Sequence, residues 1–543
     1  MKTKALSLIF SLCIMAATAF LFSSCDQNGQ PTPAESNDSN TNLEATVSSL
    51  GTSVMLFGAI GNGTDDDTEA LKAAMSNEKG AIYLPAGQYR ISSDFTFSVP
   101  VTFAAGAMLV PDEGVTLTFA KTLDAAQVRI FANGSKVILK ANGTSYPEWF
   151  GGRNSKSVDS TEAIQSAIDC FPDGNGRVMF QSGTYRVSDT ITVRENQHHL
   201  TLCGTARQNR ELSPFIESAS ATKPVLHLIG ATGGNPYDGG LEDVTIENLE
   251  FTRTSMGKKG SDTILLENTI YTTIKNTGFA HSQNGVRAVN VNGLRLDTVH
   301  ATTGGDIEGE EVRGVYIDGT KRGSTGILIN DFIYYAYGSS KSTTIGYKDY
   351  ASPEAVGGSV GDRRIKNFEC DGSCDYGIYM ESSGDFACDI SIMELTMDGV
   401  DTCGIYLKAA KPFDWQQVNI TNVYLRLANK DGRAKAICAE NFSFVHCTNV
   451  HVDNAEGKNE GIVLNQSPGS TITSCSFSGG DFKNAIYLMN STNICVTGNT
   501  SNKAGKLAVK NCTNVVITGN AMPSLSLAEV GNTNLIQANN ILK

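Results

Sequence analysis

The chain has 543 residues, of which 18% are charged, with 54 glycines, 14 prolines and a formal net charge of −13. A chain of this length and low charge content can bury a large core, and its glycine-rich, proline-poor composition suits many short strands joined by tight turns. The acidic balance argues against nucleic acid and other polyanions as general partners, although it leaves room for a local basic groove.

The first predicted element is a targeting segment. Lys2 and Lys4 form a basic start, an apolar run covers Leu6 to Phe22, and Leu21 to Cys25 (LFSSC) resembles a lipoprotein cleavage box, with Phe22 where leucine is usual. An ordinary secretory signal is the alternative; a spanning helix needs about 20 apolar residues, and this run is short for that. Residues 1–24 are therefore read as a signal peptide, with Cys25 as the acylated residue. Residues 25–52, rich in Ser, Asn, Thr and Pro, are read as a disordered tether. The segment starting at Cys25 (CDQNGQ) resembles lipoproteins of gut Gram-negative anaerobes, which implies an outer-membrane, surface-exposed protein anchored through a lipid on Cys25.

Two stretches then share one pattern. Residues 57–91 read FGAIGNGTDDDTEALKAAMSNEKGAIYLPAGQYRI, and residues 146–193 read YPEWFGGRNSKSVDSTEAIQSAIDCFPDGNGRVMFQSGTYRVSDTITV. In the second, Ala163, Ile164, Ala167 and Ile168 form an apolar stripe at helical spacing, Asp159 or Ser160 can cap the helix, and Glu162 stands where a capping box needs it. Val178, Phe180, Tyr185 and Val187 follow in strand alternation around Ser182-Gly183. Such a helix can cover the open end of a strand stack, which otherwise exposes its core and its hydrogen-bonding edge.

Both stretches resemble the opening motif of the pectate-lyase superfamily. The first keeps Phe57-Gly58-Ala59, Thr64 to Thr68 and Tyr83 to Gly87; the second keeps Trp149-Phe150-Gly151, Ala163-Ile164-Gln165 and Ser182 to Tyr185, but has Arg153 to Lys156 in place of the glycines and acids. The resemblance implies an all-β fold: a right-handed single-stranded parallel β-helix over residues 147–543, with an N-terminal capping helix, preceded by a small β-rich domain over residues 53–146. Hydrolases, lyases and phage tail spikes share the motif, so activity has to be read from the site.

After residue 190 a loose repeat of ~22–32 residues marks a solenoid. One element is a small residue followed by apolar–X–apolar–X. It recurs at Gly285, Gly314, Gly377, Gly404, Ala436, Gly461 and Ala485; a second, richer in Asn and Thr, recurs at 419–423, 447–451, 493–497 and 514–518. Alternation sends every second side chain outward. If the copies stack in register, one outward column runs Arg287, Tyr316, Tyr379, Tyr406, Cys438, Val463, Tyr487. The next runs Val289, Asp318, Glu381, Lys408, Glu440, Asn465, Met489. Tyrosines offer flat surfaces to sugar rings, and neighbouring acids and lysine can move protons or hold a cation. Alternatively, Tyr is a favoured strand residue and alternating charge solvates an exposed sheet.

The candidate catalytic residues are Tyr379, Lys408, Tyr316, His281 and Glu381. Arg287, Tyr406 and the basic cluster Arg363, Arg364 and Lys366 are the candidate substrate-binding residues, the cluster being placed to neutralise a carboxylate or sulfate. Arg364-Ile365-Lys366 echoes the RIK motif of polygalacturonase-like hydrolases, but the accompanying NTD, paired-Asp and GHG motifs are absent, so that family's aspartates are not carried over. Asp371, Asp375, Asp385 and Asp389 are the acids that could pair for hydrolysis.

The expected activity is a surface-tethered polysaccharide lyase that β-eliminates a uronic-acid glycan, as the resemblance to glycosaminoglycan- and pectin-degrading systems implies. A glycoside hydrolase using an Asp/Glu pair and a non-catalytic glycan-binding or spike-like protein are the alternatives. The protein is expected to be a monomer, with no required cofactor or with a Ca²⁺ held by Asp318 and Glu381. Most of its 13 cysteines are read as small buried hydrophobes, the Cys370/Cys374 pair included.

Overall fold

The computed structural model describes residues 50–542 apart from 78–79, 142, 206–212, 232–236, 304–306, 337–341, 355–358, 384–385, 413–415, 503–504 and 528–530. The expected signal segment, Cys25 and most of the expected tether lie outside the described residues, as does Asp385.

Parallel pairing organises the whole chain. Residues 52–139 already form coils with three faces, one of them stacking Thr52–Ser53, Ile82–Leu84, Val101–Phe103 and Leu123–Asp124. The small N-terminal β-rich unit is thus a short stack of its own. Its interior is aromatic: Phe97 lies flat on Phe119 at 4.5 Å, and Phe131 reaches Phe150 at 5.1 Å, so one core runs on into the next segment. From Thr144 to Leu542, 34 strands form one continuous sheet wound as a right-handed parallel β-helix.

The two resembling stretches fold alike. Each places a short helix, α1 (Thr68–Asn77) and α2 (Thr161–Asp169), between a glycine turn and the first strands. Gly58 and Gly151 close the preceding turns at φ 92 and 90, left-handed backbone that disfavours any side chain, which accounts for Phe-Gly in both copies. Asp66 accepts from the Thr68 amide, and Asp159 from the Thr161 amide, each at 3.0 Å; Ser92 and Ser188 bond the same two carboxylates from the next strand. Asp159, not Ser160, therefore serves the α2 start. The Ser160 hydroxyl is committed to the Arg153 carbonyl at 3.0 Å, and none of the described hydrogen bonds completes a capping box with Glu162. The stripe Ala163, Ile164, Ala167 and Ile168 is buried as the spacing predicts.

Between residues 262 and 454 each coil has a strand on the face that carries the Gly-apolar-X-apolar repeats, then a strand bent once by a left-handed residue into two further faces; the coils before and after use three separate short strands. The bend residues include Asn276, Thr298, Asp331, Asn367, Glu394, Asn422 and Asn449, with φ between 48 and 57. Asparagine tolerates this conformation best among residues with a side chain, and its amide bonds from coil to coil. Asn449 donates to Asn422 at 2.9 Å; nearer the C-terminus Asn534 donates to Asn514 at 2.9 Å and Asn514 to Asn493 at 3.0 Å. Inside, Val286, Val315, Tyr347, Ile378, Ile405, Ile437, Ile462 and Ile486 stack in one register column. Burying each aliphatic side chain contributes about 1.5–3 kcal/mol before the cost of ordering. Nine of the described cysteines, Cys370 and Cys374 among them, are buried and unbridged.

Candidate functional site

The repeat-bearing face stacks the strands Asn284–Asn292, Glu311–Gly319 and Thr343–Ala351, then the ends of Ser359–Ser382 and Phe386–Ala409, then Lys435–Glu440. The predicted outward columns exist, with one coil added between Tyr316 and Tyr379. The first runs Arg287, Tyr316, Lys348, Tyr379, Tyr406, Cys438 and the second Asp318, Tyr350, Glu381, Lys408, Glu440.

Two ion-paired centres sit in this patch. Glu381 accepts from the Tyr379 hydroxyl at 2.7 Å and from the Lys408 ammonium at 2.8 Å. Its side chain is 19% exposed and that of Lys408 is 42% exposed, so both reach solvent. Burial pushes the Glu381 carboxyl up, but the bonds from Lys408 and Tyr379 outweigh it and hold it below the usual glutamate range. The bond to Glu381 raises Lys408, and burial followed by the neighbouring Glu381 raises Tyr379. The resting state is thus carboxylate, ammonium and neutral phenol.

The second centre is Lys348, 12% exposed, which donates to both oxygens of Glu311 at 2.8 and 2.6 Å. Arg313 bonds the same carboxylate and lies over the Tyr316 ring, its guanidinium 4.4 Å from the centroid. The Lys348 ammonium stands 5.0 Å from the Tyr379 ring centre, 5.9 Å from that of Tyr316 and 6.0 Å from that of Tyr350. Burial raises Glu311, yet the Arg313 charge and the Lys348 bond bring it below its ordinary value. Tyr376, Tyr379 and Tyr406 pack with ring centres 5.0–6.0 Å apart, and burial is the leading cause that pushes Tyr376 up to about 12. The patch is a tyrosine floor carrying two cation–carboxylate pairs.

Of the sequence candidates, the structure brings together Tyr316, Tyr379, Glu381, Tyr406 and Lys408. Arg287 borders them, its guanidinium bonding Asp318 at 2.6 and 3.0 Å. His281 lies outside the patch: it occupies the turn before the Arg287 strand, with Nδ1 3.3 Å from the Thr252 hydroxyl. That turn opens a coil three strand spacings from the Tyr379 coil, roughly 14 Å along the axis.

Arg363 is a correction. It is not a surface cation but fully buried, bonded to Asp349 and to the Gly361 carbonyl, and Asp349 also accepts from the Tyr347 hydroxyl at 2.8 Å. Asp349 and Tyr347 occupy inward positions, and an unpaired carboxylate there is untenable, so Arg363 turns inward to meet it. Arg364 and Lys366 do face out, but on the bent strand of another face, with Lys366 3.6 Å from Glu394. Asp375 is committed to Thr344, whose amide it accepts at 2.9 Å. Asp371 and Asp389 are exposed away from the tyrosine floor.

Asp318 and Glu381 do not fit a shared cation. Tyr350 lies between them in the column, a separation of two strand spacings or ~9.6 Å, and each carboxylate is already neutralised by Arg287 or Lys408. No group of three or more His, Cys, Asp or Glu able to hold a metal occurs among the described residues. Sequence reasoning gave no role to Lys348, Tyr350, Tyr376, Glu311 or Arg313.

Residues 51–121 match the family described as rhamnogalacturonase A/epimerase, pectate lyase-like. No curated protein sequence matches the chain. Among solved structures, tailspike protein 3 of bacteriophage CBA120 superposes with a TM-score of 0.50 at 12% identity, over 73% of this chain and 61% of the tailspike, so the chain spans about three fifths of that protein. The tailspike of E. coli bacteriophage HK620 gives a TM-score of 0.40 at 13% identity over 70% of this chain and 77% of its own. The catalytic unit of an α-1,3-glucanase from Streptomyces thermodiastaticus gives 0.37 at 11% identity over 73% and 68%. Likeness at these identities concerns the fold, the pectate-lyase-type parallel β-helix that the opening motif implies.

Proposed function

We propose that this chain is a polysaccharide lyase whose substrate, a uronic-acid-containing glycan, lies across the tyrosine floor. The observation that carries this reading is the contact chain Tyr379–Glu381–Lys408 beside the Lys348 centre. The match of residues 51–121 to a pectate-lyase-like family supports a polysaccharide-acting protein more generally.

Each role follows from a protonation state. A uronate carboxylate meets Lys408, the more exposed cation, with Lys348 and Arg313 behind it; neutralising that charge acidifies the proton alpha to the carboxyl group. Glu381, ionised, takes that proton from C5. The C5–H electrons form the C4–C5 double bond, the C4–O bond breaks, and the neutral Tyr379 hydroxyl gives its proton to the leaving oxygen. The proton now on Glu381 returns to the Tyr379 oxygenate along their existing 2.7 Å hydrogen bond, restoring the resting state without an outside acid or base. A hydrolase needs a carboxylic acid kept protonated near neutrality. Glu311, Asp318 and Glu381 are all held low. The acid next to them that burial raises, Asp262, is itself buried and bonded by Asn284 at 2.6 Å. The cycle uses only side chains of the patch, so a chelator is expected to leave the rate unchanged.

In the same reading, Cys25 carries the lipid that holds a monomeric enzyme on an outer-membrane surface. The test is to mix the chain lacking residues 1–25 with a panel of uronate polysaccharides and follow the ultraviolet absorbance of an unsaturated uronate. Absorbance growth on one of them is expected. New reducing ends with no absorbance change would instead establish hydrolysis, and neither signal on any polymer would leave a binding protein.

A further inference from the structure

A second groove lies on a different face, where the bent strands turn. It has a volume of about 430 Å³ and is lined by Asn367, Glu394, Thr396, Asn422, Tyr424 and Asn449, with His451 at its end. Hollows of this size suit one or two small-molecule rings. Three observations converge there.

The first is an aromatic platform. Tyr424 pairs in register with Thr396 on one side and with His451 on the other. His451 stacks on Tyr424 with centres 5.5 Å apart and planes 10° apart, covering one ring face. Thr396 is too short to cover the opposite face, which therefore fronts the hollow. The second is rigidity: the two ring nitrogens of His451 lie 2.7 Å from the Ser476 hydroxyl and 3.1 Å from that of Ser478, so the platform is held from behind. The third is a break in the asparagine ladder. Glu394 takes the ladder position between Asn367 and Asn422, and none of the described hydrogen bonds uses the Asn422 amide nitrogen. Amide and carboxylate groups thus ring the exposed face of a tyrosine.

We propose that this groove binds an uncharged pyranose ring of a glycan chain, stacked on Tyr424 with its hydroxyls bonded by Asn422, Asn449 and Glu394. Planar polar side chains around an aromatic face match the C–H face and hydroxyl edge of a sugar. Charge disfavours a uronate here: around the platform the carboxylates Glu394, Asp398 and Asp453 outnumber the cations Lys366 and Arg426, with which they pair at 3.6, 2.8 and 3.8 Å. A uronate here would face carboxylates, whereas on the tyrosine floor it faces Lys408. This site does not depend on the catalytic reading, because its face and its residues are separate.

The test is native affinity electrophoresis of the chain lacking residues 1–25 through gels holding dextran, galactomannan, mixed-linkage β-glucan, arabinogalactan or polygalacturonate. Wild type is expected to be retarded by at least one neutral polymer. Tyr424→Ala should weaken that retardation about tenfold or more, and Thr396→Tyr, which fills the hollow from an exposed position, should do the same without disturbing the core. Glu381→Gln should bind the neutral polymer as wild type does. Retardation by polygalacturonate alone, by no polymer, or equally by wild type and both groove variants would overturn the proposal. So would loss of neutral-polymer binding in Glu381→Gln, which would assign that binding to the tyrosine floor.

Discussion

Tyr379 and Glu381 stand two residues apart on one strand, so alternation alone puts both on the same face and makes their hydrogen bond a local event. That simplicity makes their roles separable. Tyr379→Phe and Glu381→Gln are each expected to lower kcat by about 10²–10⁴, the range for a lost proton-transfer group, with an unchanged melting temperature. Lys408→Ala should lower kcat and also raise KM for a uronate polymer, since it removes both a substrate contact and the charge that acidifies the C5 proton. The pH profile follows from the same contacts. Glu381 is active ionised and is held low, so activity is expected to persist down to, and fall only below, the ordinary carboxylate value of about 4.3; Tyr379 is active protonated and is held high, so the alkaline limb should lie above the ordinary phenol value of about 10. A limb near neutrality would point to a histidine and overturn these assignments.

At the scale of the element, the instructive coil is Thr343–Ala351. Its inward positions hold Tyr347 and Asp349 where neighbouring coils hold Val315 and Ile317 or Ile378 and Met380. Arg363→Met leaves Asp349 charged and unpaired in an apolar interior, and is expected to destabilise by about 3–5 kcal/mol. Adding Tyr347→Ile and Asp349→Leu restores an aliphatic column and should recover most of that loss. Asn514→Ala should cost about 2 kcal/mol, from a left-handed backbone at φ 57 and two lost ladder bonds, seen as faster amide exchange in the last coils.

The same coil explains what the sequence does and does not reveal. Repeats such as Gly404-Ile-Tyr-Leu-Lys408 are legible because inward positions are aliphatic and outward ones are not. Gly346-Tyr-Lys-Asp-Tyr350 has the same geometry, but its buried polar pair erases the pattern, so Lys348 and Tyr350 stay hidden. Arg363 misleads for the matching reason, since its partner Asp349 is 14 residues away and unrecognisable as inward without the coil. Tyr424 and His451 escape because a stacking platform depends on the small neighbour beside it, a relation across coils that spacing in sequence does not express.

For the whole molecule, stacking without long-range closure makes stability a sum over neighbouring coils. The Arg363→Met loss should therefore stay local: hydrogen exchange is expected to accelerate through residues 343–409 and to leave the coils beyond residue 460 unchanged. Uniform acceleration along the chain would show a single cooperative unit instead.

The coil at 343–351 also bears on how such a surface could change size. Each coil contributes one row of outward side chains and one strand spacing of ~4.8 Å, and the rows above and below pair with it by the same rule. Gain or loss of a coil therefore alters the length of the recognition surface in discrete increments, while the chemistry of every other row is kept. If a glycan lies across this face as proposed, the number of sugar units it spans would be adjustable by a single in-frame duplication of about thirty codons.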